Sequence, residues 1–434
     1  MNPAAAPSAA LSPAMRASQL AAFLVPGVAL SLPSGYSVGA AALALSSLIF
    51  VRQWWGRNWD RRALVLACML ATMAVMWTMS FDDWHLRSRS DQFVKYALAI
   101  TGLGFLQAFA PRVRPLGWGM LAGALGAGLV AVYQMGWTDA HRANGFTNAI
   151  QFSGIALVLA LACCFGVLLL WRSLVAWQRA LGLVCSLFGL LAVILSDTRG
   201  SWIVLPFVLL IGAVLLWRCG LRKPVGLGLL AAVLGIGGLV SFKGGEMAQR
   251  YHTAVHEVQS YEVQDRDAAE TSVGQRLAHW NLAWHMGLDQ PLTGWGLQGY
   301  IAEKARRVQA GEASASVLPY DHAHNELLDM FAKRGLVGVA LLLAFYAVPL
   351  LIFWPTRKRM AQCAGAPMDR QILYLRMLGI TVPLCYMGFG LTQVFFAHNS
   401  GHMFYVYMLV LLLGALIGRE RALLALHPMH QASR

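Results

Sequence analysis

The sequence predicts an all-α integral membrane protein with about twelve transmembrane helices and one large loop. Of its 434 residues, 58% are hydrophobic and only 12% are charged, whereas soluble domains carry about 25% charged residues. The mean hydropathy is +0.55, and the apolar residues form long runs rather than alternating with polar ones. These observations exclude a soluble multidomain enzyme and a disordered chain. The seven cysteines form no CxxC spacing, which argues against a disulfide scaffold.

Each predicted span is a run of mostly apolar residues, about as long as the ~20 residues that cross a hydrocarbon core as a helix. Short basic or polar segments separate these runs. The predicted spans are 17–33, 36–51, 63–79, 92–110, 115–133, 152–171, 180–196, 201–217, 224–242, 335–354, 375–395 and 402–418.

The distribution of charge predicts the orientation of these spans. With the N-terminus in the cytoplasm, the cytoplasmic segments hold twenty of the 34 Lys and Arg, and the short outer loops hold five. Positive charge in short loops favours the cytoplasmic side, so both termini are expected there. The net charge of +14 is then explained by topology and by attraction to membrane lipids. No nucleic-acid-binding module is recognisable, and nucleic acid is not an expected partner.

The predicted domain organisation follows from the longest polar stretch. We expect three parts: nine transmembrane helices in 1–242, a large outer loop with short helices in 243–334, and three helices with a cytoplasmic tail in 335–434. Within the outer loop, 246–270 is polar, acidic and expected to be partly helical. Residues 272–300 indicate a helix followed by a Gly-rich turn, and 303–317 indicate a mobile loop.

Residues 319–335, PYDHAHNELLDMFAKRG, contain the most distinctive polar cluster. Asp321 can cap a helix starting at His322, and the helical phase would point His324 toward the bundle and His322 toward the polar side. A neutral imidazole facing a cavity is a suitable general base, and Asn325 could orient a hydroxyl or phosphate oxygen. The alternative is a set of satisfied polar residues at a helix start. The i,i+2 histidine spacing and the lack of HExxH predict no metal site.

A second candidate is Arg199 in SDTRGSW, between two apolar spans. The spans hold Asp197 and Arg199 at the outer surface, and Gly200 permits a tight turn. A guanidinium at this depth can bind a phosphate by two parallel hydrogen bonds. The alternative is a structural Asp197–Arg199 pair.

A third candidate is Arg276 in TSVGQRLAHWNLAWHMGL, where Ser272 and Gln275 have capping-box spacing. Arg276 would then lie in the first helical turn, where a cation opposes the helix dipole. That placement is favourable if an anion is shared between the guanidinium and the free N–H groups. The alternative is an interfacial helix with a snorkelling arginine. The GxG turn at 294–296 is weak support for phosphate binding.

Three further outer segments could add polar groups to a shared cavity, although each alone is typical of a solvated loop. They are DAHRANGFTNAIQF with Arg142, DDWHLRSRSD with His85, Arg87 and Arg89, and AHNSGH with His398, Asn399 and His402.

In combination, three motifs resemble the O-antigen ligase and polymerase family of bacterial membrane glycosyltransferases. They are TRGSW after an apolar span, QRxxxW followed by PxxGxGxxxY, and HAHNELL followed by GLVG. GFTNAIQF before a span is also similar to that family. The resemblance implies a GT-C-type fold in the bacterial inner membrane and a periplasmic active site. It further implies an O-antigen donor on undecaprenyl pyrophosphate, with no nucleotide sugar, cofactor or metal.

The length and the single large loop resemble the ligase branch, whose acceptor is the lipid A–core oligosaccharide. Carried onto this sequence, the resemblance places the essential histidine at His324, with His322 beside it, and the essential arginines at Arg199 and Arg276. Arg142 could assist in donor binding, with Asn325, Asp197 and Gln275 in support.

Two groups of alternatives stay open on the sequence. The first comprises an O-antigen polymerase or a protein O-oligosaccharyltransferase of the same family. The second is a membrane transporter or flippase, which would predict charged residues inside the spans and inverted repeats. The predicted spans are nearly free of charge, and this favours chemistry at the membrane surface.

Overall fold

The computed structural model describes residues 11–78, 90–223, 271–360 and 368–426, with a few isolated positions between 225 and 252. This part of the chain folds into helices joined by short turns and contains no strand. The helices longer than one turn are α1 (Pro13–Gly27), α2 (Gly35–Ile49), α3 (Arg61–Thr78), α4 (Ser90–Ala108), α5 (Val113–Trp137), α6 (Ala149–Leu170), α7 (Ala176–Leu195), α8 (Arg199–Arg218), α9 (Ser272–Asp289), α10 (Gly296–Gln309), α11 (Glu326–Phe353), α12 (Arg370–Phe389) and α13 (Asn399–Leu426).

Eight of the described helices are long and apolar enough to cross a membrane: α3, α5, α6, α7, α8, α11, α12 and α13. Many of their outward side chains are large hydrophobics, among them Leu64 and Phe207, as expected where hydrocarbon surrounds the protein. The prediction of an all-α, multi-spanning protein is therefore confirmed. The count of twelve, the orientation and the three-part division stay predictions. The predicted span 224–242 lies outside the described residues, apart from isolated positions.

Three helices form the centre of the bundle. In the most apolar windows of α6, α12 and α13, 78%, 83% and 94% of residues are buried, against 33–44% in the other five. A helix that is apolar on all sides belongs in such a core. The five outer helices bury one face and leave the other to lipid.

Backbone and side-chain contacts define two ends of the bundle. The amide of Glu326, at the start of α11, donates to Gly390 O at 2.7 Å, just after α12. At the same end, the side chain of Asn148, before α6, meets His398 Nδ1 at 3.4 Å. We call this the histidine end. The opposite end contains the C-termini of α6, α8 and α11 and the N-terminus of α12.

Acidic groups at the opposite end are held in ion pairs. Glu420 contacts both Arg376 and Arg62 at 2.7 Å, and Asp369 contacts Arg419 at 2.6 Å. Arg376 is only 1% exposed, and α12 begins six residues before it. It is a buried charge, and its partner Glu420 offsets the cost of removing it from water.

Helix α11 contains an interruption at Gly335, whose backbone has φ 60° and ψ −159°. A β-carbon there would approach Leu292 O within 2.3 Å, so only glycine fits against the turn before α10. Gly294 has φ 67°, and a β-carbon there would lie 2.3 Å from the backbone nitrogen of Arg334. The Gly-rich turn at 294–296 therefore serves a close backbone crossing, and this accounts for its glycines without a phosphate.

Two boundary predictions were wrong. Residues 303–309 belong to α10 rather than to a mobile loop, because Glu303 pairs with Arg306 and Arg307 on that helix. Helix α12 ends at Phe389, whereas the predicted span continued to 395. Polar residues follow, and backbone bonds such as Thr392 N to Phe389 O close a turn there.

Candidate active site

The predicted helix start at His322 was wrong, because α11 begins four residues later at Glu326. The capping residue is Asn325, whose Oδ1 accepts hydrogen bonds from Leu327 N and Leu328 N at 3.0 and 3.1 Å. Both histidines therefore lie in a loop, so helical phase does not determine where His322 and His324 point. We call residues 319–325 the histidine loop.

Two buried lysines hold the histidine loop by its carbonyl oxygens. Lys333 Nζ donates to Asp321 O at 2.6 Å, and Lys304 Nζ donates to Tyr320 O at 2.6 Å. Lys333 also forms an ion pair with Asp329 at 2.7 Å. Ammonium groups are rarely buried without partners, and the loop carbonyls are the partners here. These bonds therefore fix the loop relative to α10 and α11.

His324 occupies a constrained position in that loop. Its φ is +52°, in the left-handed region that side chains seldom adopt. Its Nδ1 lies 3.1 Å from Gln393 Oε1, and its carbonyl accepts a bond from Trp280 Nε1 at 3.4 Å. The contact with an amide oxygen assigns the Nδ1–H tautomer, which leaves the Nε2 lone pair available to accept a proton.

Three more imidazoles surround His324. The ring centroids of His322 and His279 lie 4.4 and 5.2 Å from that of His324, and Tyr320 lies at 4.8 Å. His398 continues the cluster, 5.8 Å from His322. His402, by contrast, is buried against Tyr96. Imidazole groups from three separate parts of the chain therefore lie close together: from α9, from the histidine loop and from the turn after α12.

The environment keeps these imidazoles neutral at physiological pH. Burial, and then the neighbouring His324, lower the pKa of His322 to about 3 and that of His279 to about 4. Burial also lowers the pKa of His398 and of His324. At His324 the bond to Gln393 opposes this shift and the positive charge of Arg276 adds to it. Buried imidazoles near cations favour the neutral form, which is the form a general base needs.

Arg276 lies on α9, and its positive charge contributes to lowering the pKa of His324. The predicted capping box was wrong: Thr271 is the cap, and its hydroxyl accepts from Gly274 N at 3.0 Å. Thr271 replaces the predicted Ser272–Gln275 pair because α9 already begins at Ser272. Arg276 is the fifth helical residue, just beyond the first turn. The predicted helix is present at Ser272–Asp289, and the role of Arg276 stays a prediction.

The TRGSW motif reaches the same region through its backbone. Asp197 has φ +47° immediately before α8, and Arg199 is the first residue of that helix. A β-carbon on Gly200 would lie 2.4 Å from Thr392 Oγ1. The start of α8 therefore packs beside the segment that supplies Gln393, and the Arg199 side chain itself lies outside the described part.

The segment DAHRANGFTNAIQF brings Asn148 to the histidine cluster. Asn148 caps α6 by accepting from Gln151 N at 2.9 Å, and its amide nitrogen approaches His398. Arg142 is exposed, and the amide of Ala143 donates to Leu195 O at 2.9 Å. That bond ties the Arg142 loop to the end of α7, close in sequence to Asp197. The other basic loop, with His85, Arg87 and Arg89, lies outside the described residues.

Glu326 fixes the turn that carries Gln393 and His398. Its buried carboxyl group accepts from Phe395 N at 2.6 Å and from Phe396 N at 3.3 Å. Beside it, Asn325 Nδ2 donates to Leu391 O at 3.1 Å. The histidine loop and the turn after α12 therefore form one connected unit.

Replacing Glu326 with alanine should destabilise this unit. The change leaves two buried amides without acceptors, at a cost of about 1–3 kcal/mol for each unsatisfied group. Glu326→Gln retains a side-chain oxygen and should stay close to wild type. Thermal unfolding of the purified protein in detergent measures the difference. A Glu326→Ala protein with the wild-type midpoint would contradict this role.

An apolar groove of about 300 Å³ begins at this unit. Glu326, Gly390 and Leu391 form its upper end, and α8, α11 and α12 form its walls. Ile203 and Phe207 line it and are 50% and 64% exposed. The groove is therefore open toward the lipid-facing side of the bundle.

Four important residues were missed by sequence reasoning. His279 had a signal, since it lies three residues after Arg276 and shares its helical face. Gln393 stood inside a predicted span, where a polar residue could have marked the helix end. Lys304 and Lys333 gave no signal for their bonds to the histidine loop, because the acceptors are backbone carbonyls 16 and 12 residues away.

Comparison with known proteins agrees with the motifs. Residues 183–343 match a family model described as O-antigen ligase, and this region contains Arg199, Arg276, His322 and His324. An uncharacterised protein of Haemophilus influenzae is 24% identical over 385 residues, which cover 87% of this chain and 92% of the relative. This match over residues 183–343 supports membership of the O-antigen ligase/polymerase family.

Proposed function

We propose that the protein transfers O-antigen polysaccharide from undecaprenyl pyrophosphate to a sugar of the lipid A–core, at the periplasmic face of the inner membrane. The observation that carries this proposal is the meeting of a neutral, oriented His324 with the charge of Arg276 at the mouth of an apolar groove. A base, a cation and a lipid-accessible groove are the three elements that such a transfer requires.

The groove suits the polyprenyl part of the donor. Its walls are apolar and its exposed side chains include Phe207 and Ile203, so an isoprenoid chain can replace lipid there. Its upper end is formed by Glu326 and Leu391, next to the histidine loop. A tail in the groove would bring the diphosphate to the level of His324 and Arg276.

The chemical step is a single displacement. His324 Nε2 takes the proton of an acceptor hydroxyl, and the oxygen attacks the anomeric carbon of the donor sugar. The bond from that carbon to the diphosphate oxygen breaks, and undecaprenyl pyrophosphate leaves with the electron pair. Attack from the opposite face inverts the anomeric configuration. Before the step, Gln393 Oε1 accepts from Nδ1–H and holds the neutral imidazole in the tautomer whose Nε2 can take the proton; after it, the same bond stabilises the imidazolium.

Cationic groups stabilise the charge that grows on the leaving group. We assign this role to Arg276, and we propose that Arg199, at the start of α8, and Arg142 contribute to it as well. Preorganised donors aimed at developing charge are often the largest contribution to catalysis. Diphosphate is already a good leaving group, so the proposed reaction includes neither a metal ion nor a second carboxylate.

The lipopolysaccharide of a deletion strain tests the branch of the family. A ligase defect is expected to leave the core without O-antigen while the lipid-linked polymer accumulates, and the plasmid-borne gene should restore the ladder. Core bearing single repeats would instead identify a polymerase. A normal ladder with unglycosylated proteins would identify a protein O-oligosaccharyltransferase. Either of these results would contradict the proposed acceptor.

A further inference from the structure

A second polar site lies at the opposite end of the bundle, far from the histidines. A cavity of about 720 Å³ is bordered by Arg172, Arg222, Lys223 and Arg370. Its side walls are apolar and include Val167 and Leu168 of α6. Helix α6 begins beside His398 and ends at this cavity, and its 22 residues span about 33 Å at 1.5 Å per residue. The two sites are therefore separate.

The cations of this cavity have no carboxylate to neutralise them in the part of the chain that the structure describes. The nearest acid in sequence, Asp369, is already engaged: it caps α12 through Ile372 N and pairs with Arg419. The sequence itself has no acidic residue in 171–196 or in 219–245. Four like charges around one cavity repel one another, so an anion bound among them would be stabilised.

Arg222 is held in position for such an anion. Its guanidinium lies 5.5 Å from the centroid of the Trp217 ring, a cation–π contact that leaves its N–H groups available. A fifth basic residue, Arg179, is used differently: its Nε donates to Trp171 O at 3.0 Å, and it stacks on that ring.

We propose that this cavity binds the phosphodiester headgroup of an anionic phospholipid, with an acyl chain along the apolar wall. A soluble phosphate would use the cations but not the apolar side walls at Val167 and Leu168, whereas a phospholipid uses both. Basic pockets between transmembrane helices are a recognised binding site for acidic lipid headgroups. The proposal is independent of the transfer reaction at the histidine end.

Native mass spectrometry of the full-length protein, released from detergent with defined lipids, tests the proposal. The probes are phosphatidylglycerol and phosphatidylethanolamine with the same acyl chains. The site variant is Arg172→Gln/Arg222→Gln/Arg370→Gln. The matched control is Arg52→Gln/Arg57→Gln/Arg61→Gln, which removes three exposed cations from a region distant in sequence.

We expect the wild type to prefer phosphatidylglycerol, and the site variant to bind it at least about tenfold more weakly, since each basic residue contributes measurably to such binding. The control should stay within about twofold of wild type. Equal weakening in both variants would show general surface charge and overturn the proposal. So would equal binding of the two lipids by the wild type, a measurement that does not depend on the variants. Glycerol phosphate that binds as tightly as the lipid would identify a soluble anion instead.

Discussion

His324→Ala is expected to reduce polysaccharide transfer by about 10²–10⁴-fold, the usual contribution of a general base. The alanine protein lacks the imidazole that we propose takes the acceptor proton, while the histidine loop keeps its anchors through Lys333 and Lys304. The measurement is the initial rate of ligation by purified protein in nanodiscs, with donor and acceptor both supplied.

Two histidine variants make this result specific. His285 lies on α9, is exposed, and bonds within its own helix to Asn281 O, so His285→Ala should transfer at the wild-type rate. His322→Ala removes the other histidine of the HAH sequence, and we expect it to retain more activity than His324→Ala. A His324→Ala protein that transfers normally, or a loss confined to His322→Ala, would contradict the assignment of the base.

Arg276→Gln is expected to lower transfer by about 10²–10³-fold, in the range seen when one donor to a developing oxyanion is removed. It should also change the pH dependence. The base must be neutral, so activity falls as pH drops through the pKa of His324, which burial and Arg276 hold below its ordinary value of 6.5. Without the positive charge of Arg276 that pKa rises, and the acid limb of the rate profile moves to higher pH.

A purely structural role for Arg276 would lower the rate without moving the profile, so the pH dependence separates the two explanations. The control is Arg306→Gln, because Arg306 is 55% exposed and pairs with Glu303 and Glu312 on the outside of α10. It should leave both the rate and the profile unchanged. An acid limb of Arg276→Gln that coincides with that of wild type would contradict the charge interaction.

The helical architecture could be predicted because hydrophobic length alone decides where a spanning helix lies. Errors occurred where local signals competed. Asp321 and Asn325 are both good caps, and spacing cannot choose between them. The choice is made by tertiary bonds: Asp329 accepts from Ala323 N at 2.9 Å and, with Lys333, holds the loop before Asn325. The helix therefore starts later than the sequence suggests.

The site was only partly predictable for a related reason. His324 and Arg276 stood out because they lie in the motifs HAHNELL and QRxxxW of the predicted outer loop. The partner that sets the tautomer of His324 is Gln393, 69 residues away, and no periodic pattern connects the two positions. His279 was hidden in an amphipathic helix, where a buried imidazole resembles any other core residue.

The central claim is that the diphosphate of the donor lies between His324 and Arg276 at the histidine end of the bundle. The most direct test is a cryo-EM map of the His324→Gln protein with the undecaprenyl-pyrophosphate-linked donor bound. Diphosphate density is expected within hydrogen-bond distance of the Arg276 guanidinium, about 2.7–2.9 Å, with the first sugar against residue 324. Diphosphate density at the opposite end, beside Arg222 and Arg370, or on a surface remote from Arg276, would contradict it.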